Sequence, residues 1–436
     1  MPRLRWLMIA LCFAATTINY VDRATIAVAA PFMAKDLNIS PATLGFLLGA
    51  FFWTYAFMQL PFGLLVDRLG VRKSYSLAVL WWSVCTALTS LVQGAVSIFG
   101  LRLALGIGES GSYPSNTKVA SLWFPKQERG LAAGIFDSGS RAGAAVSIPF
   151  VAFLIATLGW RLAFVAAGSL GVLWTFAWWI LYRDPDVHPR VSASELRALR
   201  AAQPDQPASH ASWRGMLRRR TVWGMMIGFF CANFVFYFYA TWFPTYLVQA
   251  HGFSLRDLGI AGMLPGLASV PSAWLGGWTS DRLHRSGWSL TAARKTCLVG
   301  GLLVSSVIAL TAFIGSASWC IVLLCLSFSG IAFTGANIWS LPSDVAPDPG
   351  HVATLAGLQN SAANVAGIMT SSFTGIMVGF TNGSFIIPLC VTGAFSVLGA
   401  LSYLFIVGRV EPLVLSADRM TPDIVTPLSE AHPIAR

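Results

Sequence analysis

Charge is scarce in this sequence. Of its 436 residues, 11% are Asp, Glu, Lys or Arg, against about 25% in an ordinary soluble chain. So few charges cannot cover a water-soluble globule of this length. Acid is scarcer than base, with 18 Asp and Glu against 29 Lys and Arg, a formal net charge of +11. The seven Cys form no C-x-x-C and no metal-ligand spacing. Cysteines in apolar runs read as small buried hydrophobes. The six His lie mainly in loops, which argues against a haem or quinone site. There is no G-x-x-x-x-G-K-[ST] phosphate loop. The glycine-rich "GIGESG" at 106–111 sits inside an apolar run and follows no strand pattern. No nucleophile–base set marks a membrane enzyme. The expectation is a protein with no cofactor, no metal, no nucleic-acid partner and no catalytic activity.

What the chain has instead is apolar length. It is 55% hydrophobic with 17 Trp and 29 Phe, and its mean hydropathy is +0.65. Aromatic residues on this scale suit lipid contact and interfacial anchoring. Apolar segments fall at roughly 6–32, 42–66, 74–93, 96–118, 128–157 and 160–182. A second set falls at roughly 220–250, 256–279, 296–316, 318–343, 352–379 and 383–408. About 20 helical residues span the hydrocarbon, so the pattern predicts an all-α integral membrane protein with twelve transmembrane helices. The first segment is too long for a signal peptide and shows no A-x-A-like cleavage pattern, so it reads as a retained first helix.

The expected domains are a six-helix bundle at 1–183, an interdomain loop at 184–219, a second six-helix bundle at 220–410 and a tail at 411–436. The loop is polar and holds one helix-like piece, "SASELRALR". The tail has no apolar period and reads as disordered. Arg68, Arg72, Lys73, Lys126, Arg129, Arg218, Arg219, Arg220, Arg282, Arg285, Arg294 and Lys295 all fall on one side of the spans. The basic side is cytoplasmic by the positive-inside rule, which places both termini inside, in a cell inner membrane. This topology also explains the net positive charge without nucleic acid.

An echo links the halves. "GLLVDRLGVRK" begins at Gly63 and "GWTSDRLHRSGWSLTAARK" at Gly277, so Asp67 and Asp281, and Arg68 and Arg282, are each 214 residues apart. Two six-helix halves repeated in parallel are a transporter architecture. The four charged residues read as a gating latch at the cytoplasmic rim, the Asp capping a helix N-terminus and the Arg bridging helices. Simple topology charge is the bland alternative.

Some charges lie where lipid would not tolerate them. "NYVDRATIAVAAP" (19–31) puts Asp22 and Arg23 deep in the first span, where insertion costs about 2.5–3.5 kcal/mol for such a residue. Arg102 and Glu109 lie two helical turns apart in the fourth span, about 10 Å along the axis. These four residues need a cavity or each other. Adjacent helix residues do not share a face, so Asp22 and Arg23 should have different partners. A static Arg23–Glu109 pair is the structural alternative to a working site. Ser140 and Arg141 stand in "FDSGSRAG" of the fifth span, where Arg141 meets either a second acidic group of a substrate or Asp137, one turn before it. Tyr20, Tyr55, Trp339, Asn360 and Asn364 are candidate lining residues, with Asn360 the preferred hydroxyl reader. Asn337 and Gln359 are further amides that helix–helix bonds would satisfy.

The loop signature and its weaker repeat resemble the major facilitator superfamily, over about residues 5–410. "NYVDRATIAVAAP", "FWTYAFMQLPFG", "GLRLALGIGESGSYPSNTKVASLWFPKQERG" and "TWFPTYL" resemble its anion:cation symporter family, whose bacterial members carry sugar acids, tartrate and aromatic acids. The resemblance implies a proton symporter working by alternating access as a monomer. It implies that Asp22 couples protons and that Arg23 binds the substrate carboxylate. It makes Glu109 the main protonation site with Arg102 near it, and places Tyr20 and Tyr55 in the site wall. The fifth span departs from the galactonate-carrying member of that family, which has Gln and an aromatic where this chain has Ser140 and Arg141. The implied function is import of a hexonate, hexuronate or aldarate with a proton. An aromatic-acid or small mono- or dicarboxylate carrier is the runner-up, and a non-transporting sensor of organic acids is the alternative from another class. The expected partners are an organic anion, a proton and membrane lipid.

Overall fold

The structure, a computed structural model, describes residues 2–124, 128–194, 196–197, 213–347 and 352–413. Lys126, residues 195 and 198–200 of "SASELRALR" and the tail from 414 onward lie outside the described residues, as do the side chains of Arg129 and Arg141. Among the described residues there is helix and no strand. The first bundle is built from α1 (Pro2–Asp36), α2 (Pro41–Leu69), α3 (Val71–Leu88), α4 (Ala95–Glu109), α5 (Ser112–Trp123) and α6 (Arg129–Leu181). The second contains α7 (Arg220–Thr241), α8 (Phe243–His251), α9 (Leu255–Arg285), α10 (Leu290–Ser305), α11 (Ala317–Val345), α12 (Val352–Phe380) and α13 (Ile386–Leu401).

Among the described residues, ten helices are long and apolar enough to cross a membrane. One of these, α6, is two passes joined at Gly159, whose φ of 79° is a backbone state that glycine adopts without penalty. The fourth span of the sequence is split between α4 and α5 at Ser110 and Gly111. Counting α6 twice and α4 with α5 once gives the twelve passes. The seventh apolar segment is also interrupted. It breaks at Trp242, just before Pro244 in the first turn of α8, where a missing N–H costs no helical bond. Phe153, Leu173, Phe176, Phe313 and Trp319 point outward and are more than half exposed, as a lipid-facing surface requires. Inside the first bundle, Trp174, Trp178 and Tyr182 stack with centroid separations of 5.0 and 4.0 Å, and Tyr75 meets Trp174 at a tilt, 5.0 Å away, fastening α3 to α6.

The halves meet along α2 with α12 and α6 with α9. At Gly45 the backbones touch: a Cβ there would lie 2.6 Å from the Ser371 carbonyl oxygen and 2.9 Å from the Gly375 Cα. This contact sits near the α1–α2 turn, at the end of the bundle opposite the basic loops. At the basic end, Asp67 pairs with Lys118 at 2.8 Å and Asp281 with Arg294 at 3.7 Å, each inside its own half. The halves are thus closed against each other at the Gly45 end, and among the described residues these two ion pairs of the basic end stay within each half.

The capping role expected for Asp67 and Asp281 is not what the structure shows. Helix α2 runs on to Leu69, so Asp67 lies in its last turn, and Gly70 sits at the start of α3 without a side-chain cap. Asp281 likewise lies inside α9, and Ser289 caps α10 by accepting the Ala292 N–H at 3.1 Å. Arg68 is exposed, and Arg282 lies over the Trp278 ring at 5.3 Å in its own helix.

Candidate functional site

The site grows from one turn of α1. Arg23 turns toward α4, where its Nε donates to Glu109 Oε2 at 2.6 Å. Its guanidinium carbon lies 4.7 Å from the ring centres of Phe51 and Tyr55 and 5.4 Å from that of Tyr20. Three aromatic faces around one guanidinium supply cation–π attraction in a desolvated setting. Only the Nε edge is committed to Glu109, and Arg23 also lines the cavity described below.

Asp22 points elsewhere, as the helix geometry requires. It is 2% exposed and neither carboxyl oxygen has a hydrogen-bond partner. The Trp82 indole N–H, also buried and unbonded, faces it. Glu109 is the last residue of α4 and is fully buried. Its Oε1 has no partner, and the equally unbonded Asn19 amide faces it. Leaving buried polar groups unpaired is costly, and here such groups cluster around both acids. Arg102 does not pair with Glu109. Its Nη2 donates to the Leu48 carbonyl at 3.1 Å and its Nε to the Leu47 carbonyl at 3.4 Å, both on α2.

Below Arg23 lies a cavity whose empty volume, including the part open to solvent, is about 1460 Å³. Tyr20, Arg23, Tyr55, Ser140, Trp339, Asn360 and Asn364 all line it, so every expected substrate contact except Arg141, whose side chain is not described, converges on one space. Trp339 packs edge-on against Phe229 at 5.5 Å. The Tyr237 hydroxyl donates to Asn364 Oδ1 at 3.4 Å. Gln59, Tyr113, Asp137 and Asn233 line the same cavity. Of these, Asp137 was already named from the sequence as a partner for Arg141, and Gln59 carried a usable signal, being one turn beyond Tyr55 on α2. Asn337 and Gln359 do not join the site. They donate to the Gly276 and Ile338 carbonyls at 3.1 and 3.2 Å, and Asn337 also accepts from Arg294 at 3.3 Å. Toward the closed end, past Arg23, a second cavity is walled by rings, among them Phe52, Phe236, Tyr239, Phe243 and Phe328.

The arrangement is a cation held by an acid and an aromatic cage at the roof of a polar, amide-lined chamber. Such a chamber suits a small anion with hydrogen-bonding groups. Among the described residues no group of three or more His, Cys, Asp and Glu is placed to hold a metal.

Known proteins share both the sequence and the fold. Residues 12–371 match the family model described as Major Facilitator Superfamily. The chain is 33% identical to the probable galactarate/D-glucarate transporter GudP of Bacillus subtilis, over 97% of this chain and 96% of that protein. It is 36% identical to the probable sulfoacetate transporter SauU of Cupriavidus necator, over 89% and 90% of the two chains. Its fold is similar to that of a bacterial homolog of the human lysosomal transporter Spinster in an inward-facing, unoccupied conformation, with a TM-score of 0.74 at 19% identity, covering 92% of this chain and 98% of that one. A family match over most of the length, two relatives above 30% identity and a twelve-pass helical fold agree: this chain belongs to the major facilitator superfamily.

Proposed function

We propose that this chain is a secondary active transporter, not an enzyme, that imports a sugar-acid anion together with a proton. The observation that carries the reading is Arg23, caged by aromatic rings, shared between buried Glu109 and an amide-walled cavity. A substrate carboxylate entering that cavity competes with Glu109 for the guanidinium. A proton on Glu109 removes the competing charge and frees Arg23, so anion and proton load together. Asp22 is the second acid available to hold a proton in the same bundle. Asn360, Asn364, Gln59 and Asn233 supply donors and acceptors for hydroxyl groups. Arg102, held by α2 carbonyls, adds positive potential.

Aldarates are the favoured substrates. GudP, a relative over nearly the whole chain, is named for galactarate and D-glucarate, both six-carbon acids with a carboxylate at each end. A small dianion without hydroxyls is the second reading, favoured by the likeness to SauU. The basic end faces the cytoplasm of a bacterial inner membrane on this reading, and the two cavities formed within one chain make it functional as a monomer. Alternating access proceeds by opening of the Gly45–Gly375 end as the basic end closes, with Asp67, Arg68, Asp281 and Arg282 meeting as the latch.

The test is uptake of labelled galactarate, D-galactonate and D-galacturonate into proteoliposomes, with and without a proton gradient. Accumulation driven by the gradient is expected. Uptake of neutral hexoses without competition by these acids sinks the anion reading, and binding without uptake identifies a sensor instead.

A further inference from the structure

The ring-walled cavity past Arg23 has an empty volume, including any part open to solvent, of about 940 Å³. Both halves build it, with Phe52 on α2 and Ile148 on α6 facing Phe236 and Ala240 on α7, Phe243 on α8 and Phe328 on α11. The hydroxyl protons of three residues that line it are already committed. Tyr239 donates to the Leu324 carbonyl at 2.9 Å, Thr241 to the Tyr237 carbonyl at 2.6 Å and Tyr237 to Asn364 at 3.4 Å. A polyol entering here would lose water without gaining partners for most of its hydroxyls, which is costly. Yet this wall also carries a cation. Arg102 lines this cavity and not the amide-lined chamber, and it is 6% exposed. Its Nη2 and Nε donate to the two α2 carbonyls, and its Nη1 has no hydrogen-bond partner. A guanidinium has five N–H donors, so those two bonds do not exhaust it.

We propose that this cavity is a second binding site, separate from the sugar-acid chamber, for an aromatic monocarboxylate. Its acid group lies on Arg102 and its ring among Phe52, Phe236, Phe243 and Phe328. A buried donor without a partner is costly to leave unmet. A carboxylate meets it with charge-assisted bonds, which are roughly twice as strong as neutral ones. The surrounding rings bury an aromatic body and offer it edge-to-face or offset contacts. An acid with a ring body and no hydroxyls therefore satisfies both the cation and the walls, whereas a sugar acid satisfies only the cation.

The probe is 2-naphthoate, with 2-naphthamide as its uncharged counterpart, in calorimetric titrations of the purified full-length protein. Wild type should bind the acid about tenfold or more tightly than the amide, as a bond to a charged group requires. Arg102→Gln should weaken the acid about tenfold or more and bring it level with the amide. Ala240→Phe, which fills this cavity and not the chamber, should weaken both ligands about tenfold or more by overpacking. Asn360→Ala, on the chamber wall alone, should leave naphthoate affinity within about twofold, as separate sites do. Absence of naphthoate binding to wild type overturns the proposal, as does equal binding of the amide. Undiminished binding in R102Q or A240F overturns it as well. A loss in N360A as large as that in A240F places the acid in the chamber and overturns it too. If R102Q does not fold, the amide comparison, A240F and N360A decide. None of these readouts involves a sugar acid, so failure of galactarate to bind removes the sugar-acid reading alone.

Discussion

Arg23 Nε and Glu109 Oε2 are 2.6 Å apart, and that bond joins α1 to the point where α4 ends and α5 begins. Glu109 precedes the break at Ser110 and Gly111. On the proposed mechanism, release of Arg23 by a proton or a substrate would act on the break in the fourth span. An ion pair with 19% of the Arg23 side chain exposed and none of the Glu109 side chain is costly to break by removing one member. Replacement by a substrate carboxylate keeps the cation satisfied throughout.

Substitution of Arg23 by Lys tests the guanidinium itself. Lys keeps the charge but loses the planar fork that can hold Glu109 on one edge and a carboxylate on another. Truncating or mismatching a buried charged contact costs about 2–5 kcal/mol. Galactarate affinity in purified R23K should fall by at least tenfold, as measured by calorimetry. Wild-type affinity in R23K would show that a point charge suffices.

Glu109→Gln separates coupling from binding. The amide imitates the protonated acid in shape and cannot carry a proton. Gradient-driven accumulation in proteoliposomes should disappear, while counterflow exchange of galactarate persists at a measurable rate. Proton movement that continues undiminished in E109Q would shift the coupling site to Asp22.

The aromatic cage makes a smaller, graded prediction. Tyr55→Phe keeps the ring 4.7 Å from the Arg23 guanidinium, whereas Tyr55→Ala removes it. Cation–π contacts that are desolvated contribute about 2 kcal/mol. Galactarate binding should weaken more than fivefold in Y55A and less than threefold in Y55F. Equal losses would assign the effect to the hydroxyl, not to the ring.

Much of this was legible before any coordinates. Apolar length gave twelve passes, and Asp22, Arg23, Arg102 and Glu109 stood out because an ionisable residue in an apolar run needs a reason. Sequence spacing fixes the height of a residue on a helix, not how a long side chain bends. Arg102 reaches α2 carbonyls although its spacing puts it on the Glu109 face. Asn233 and Tyr113 were missed because one polar residue in a helical span does not reveal which face meets the cavity. The capping expected of Asp67 and Asp281 does not occur because α2 and α9 each run past the aspartate, which the spacing of the repeated motif does not reveal. Trp242 and Ser110 interrupt spans whose hydropathy is continuous, so hydropathy alone could not show the breaks.

The last prediction concerns the closed end. Gly45 and Gly375 let α2 and α12 touch, and a Cβ at Gly375 would lie 2.5 Å from the Pro41 carbonyl oxygen and 2.7 Å from the Gly45 Cα. Backbone cannot move aside as a side chain can, so Gly45→Val should force the helices apart at this end. Overpacking costs about 1–3 kcal/mol, and 1.4 kcal/mol is a tenfold change in an equilibrium constant. The substitution should therefore shift the protein by tenfold or more toward a state open at the Gly45 end and closed at the basic end. Spin-label pairs spanning the halves at each end would report it, lengthening at the Gly45 end and shortening between the Asp67 and Asp281 loops. Gly63→Val is the control, since a Cβ there meets nothing within 4 Å, and its distances should match wild type. Transport should fall in G45V while the melting temperature stays within a few degrees, because the strain is relieved by changing state and not by unfolding. If G45V lowers the melting temperature sharply and leaves both distances at wild-type values, the glycine contact is a packing element and the two ends are not coupled through it.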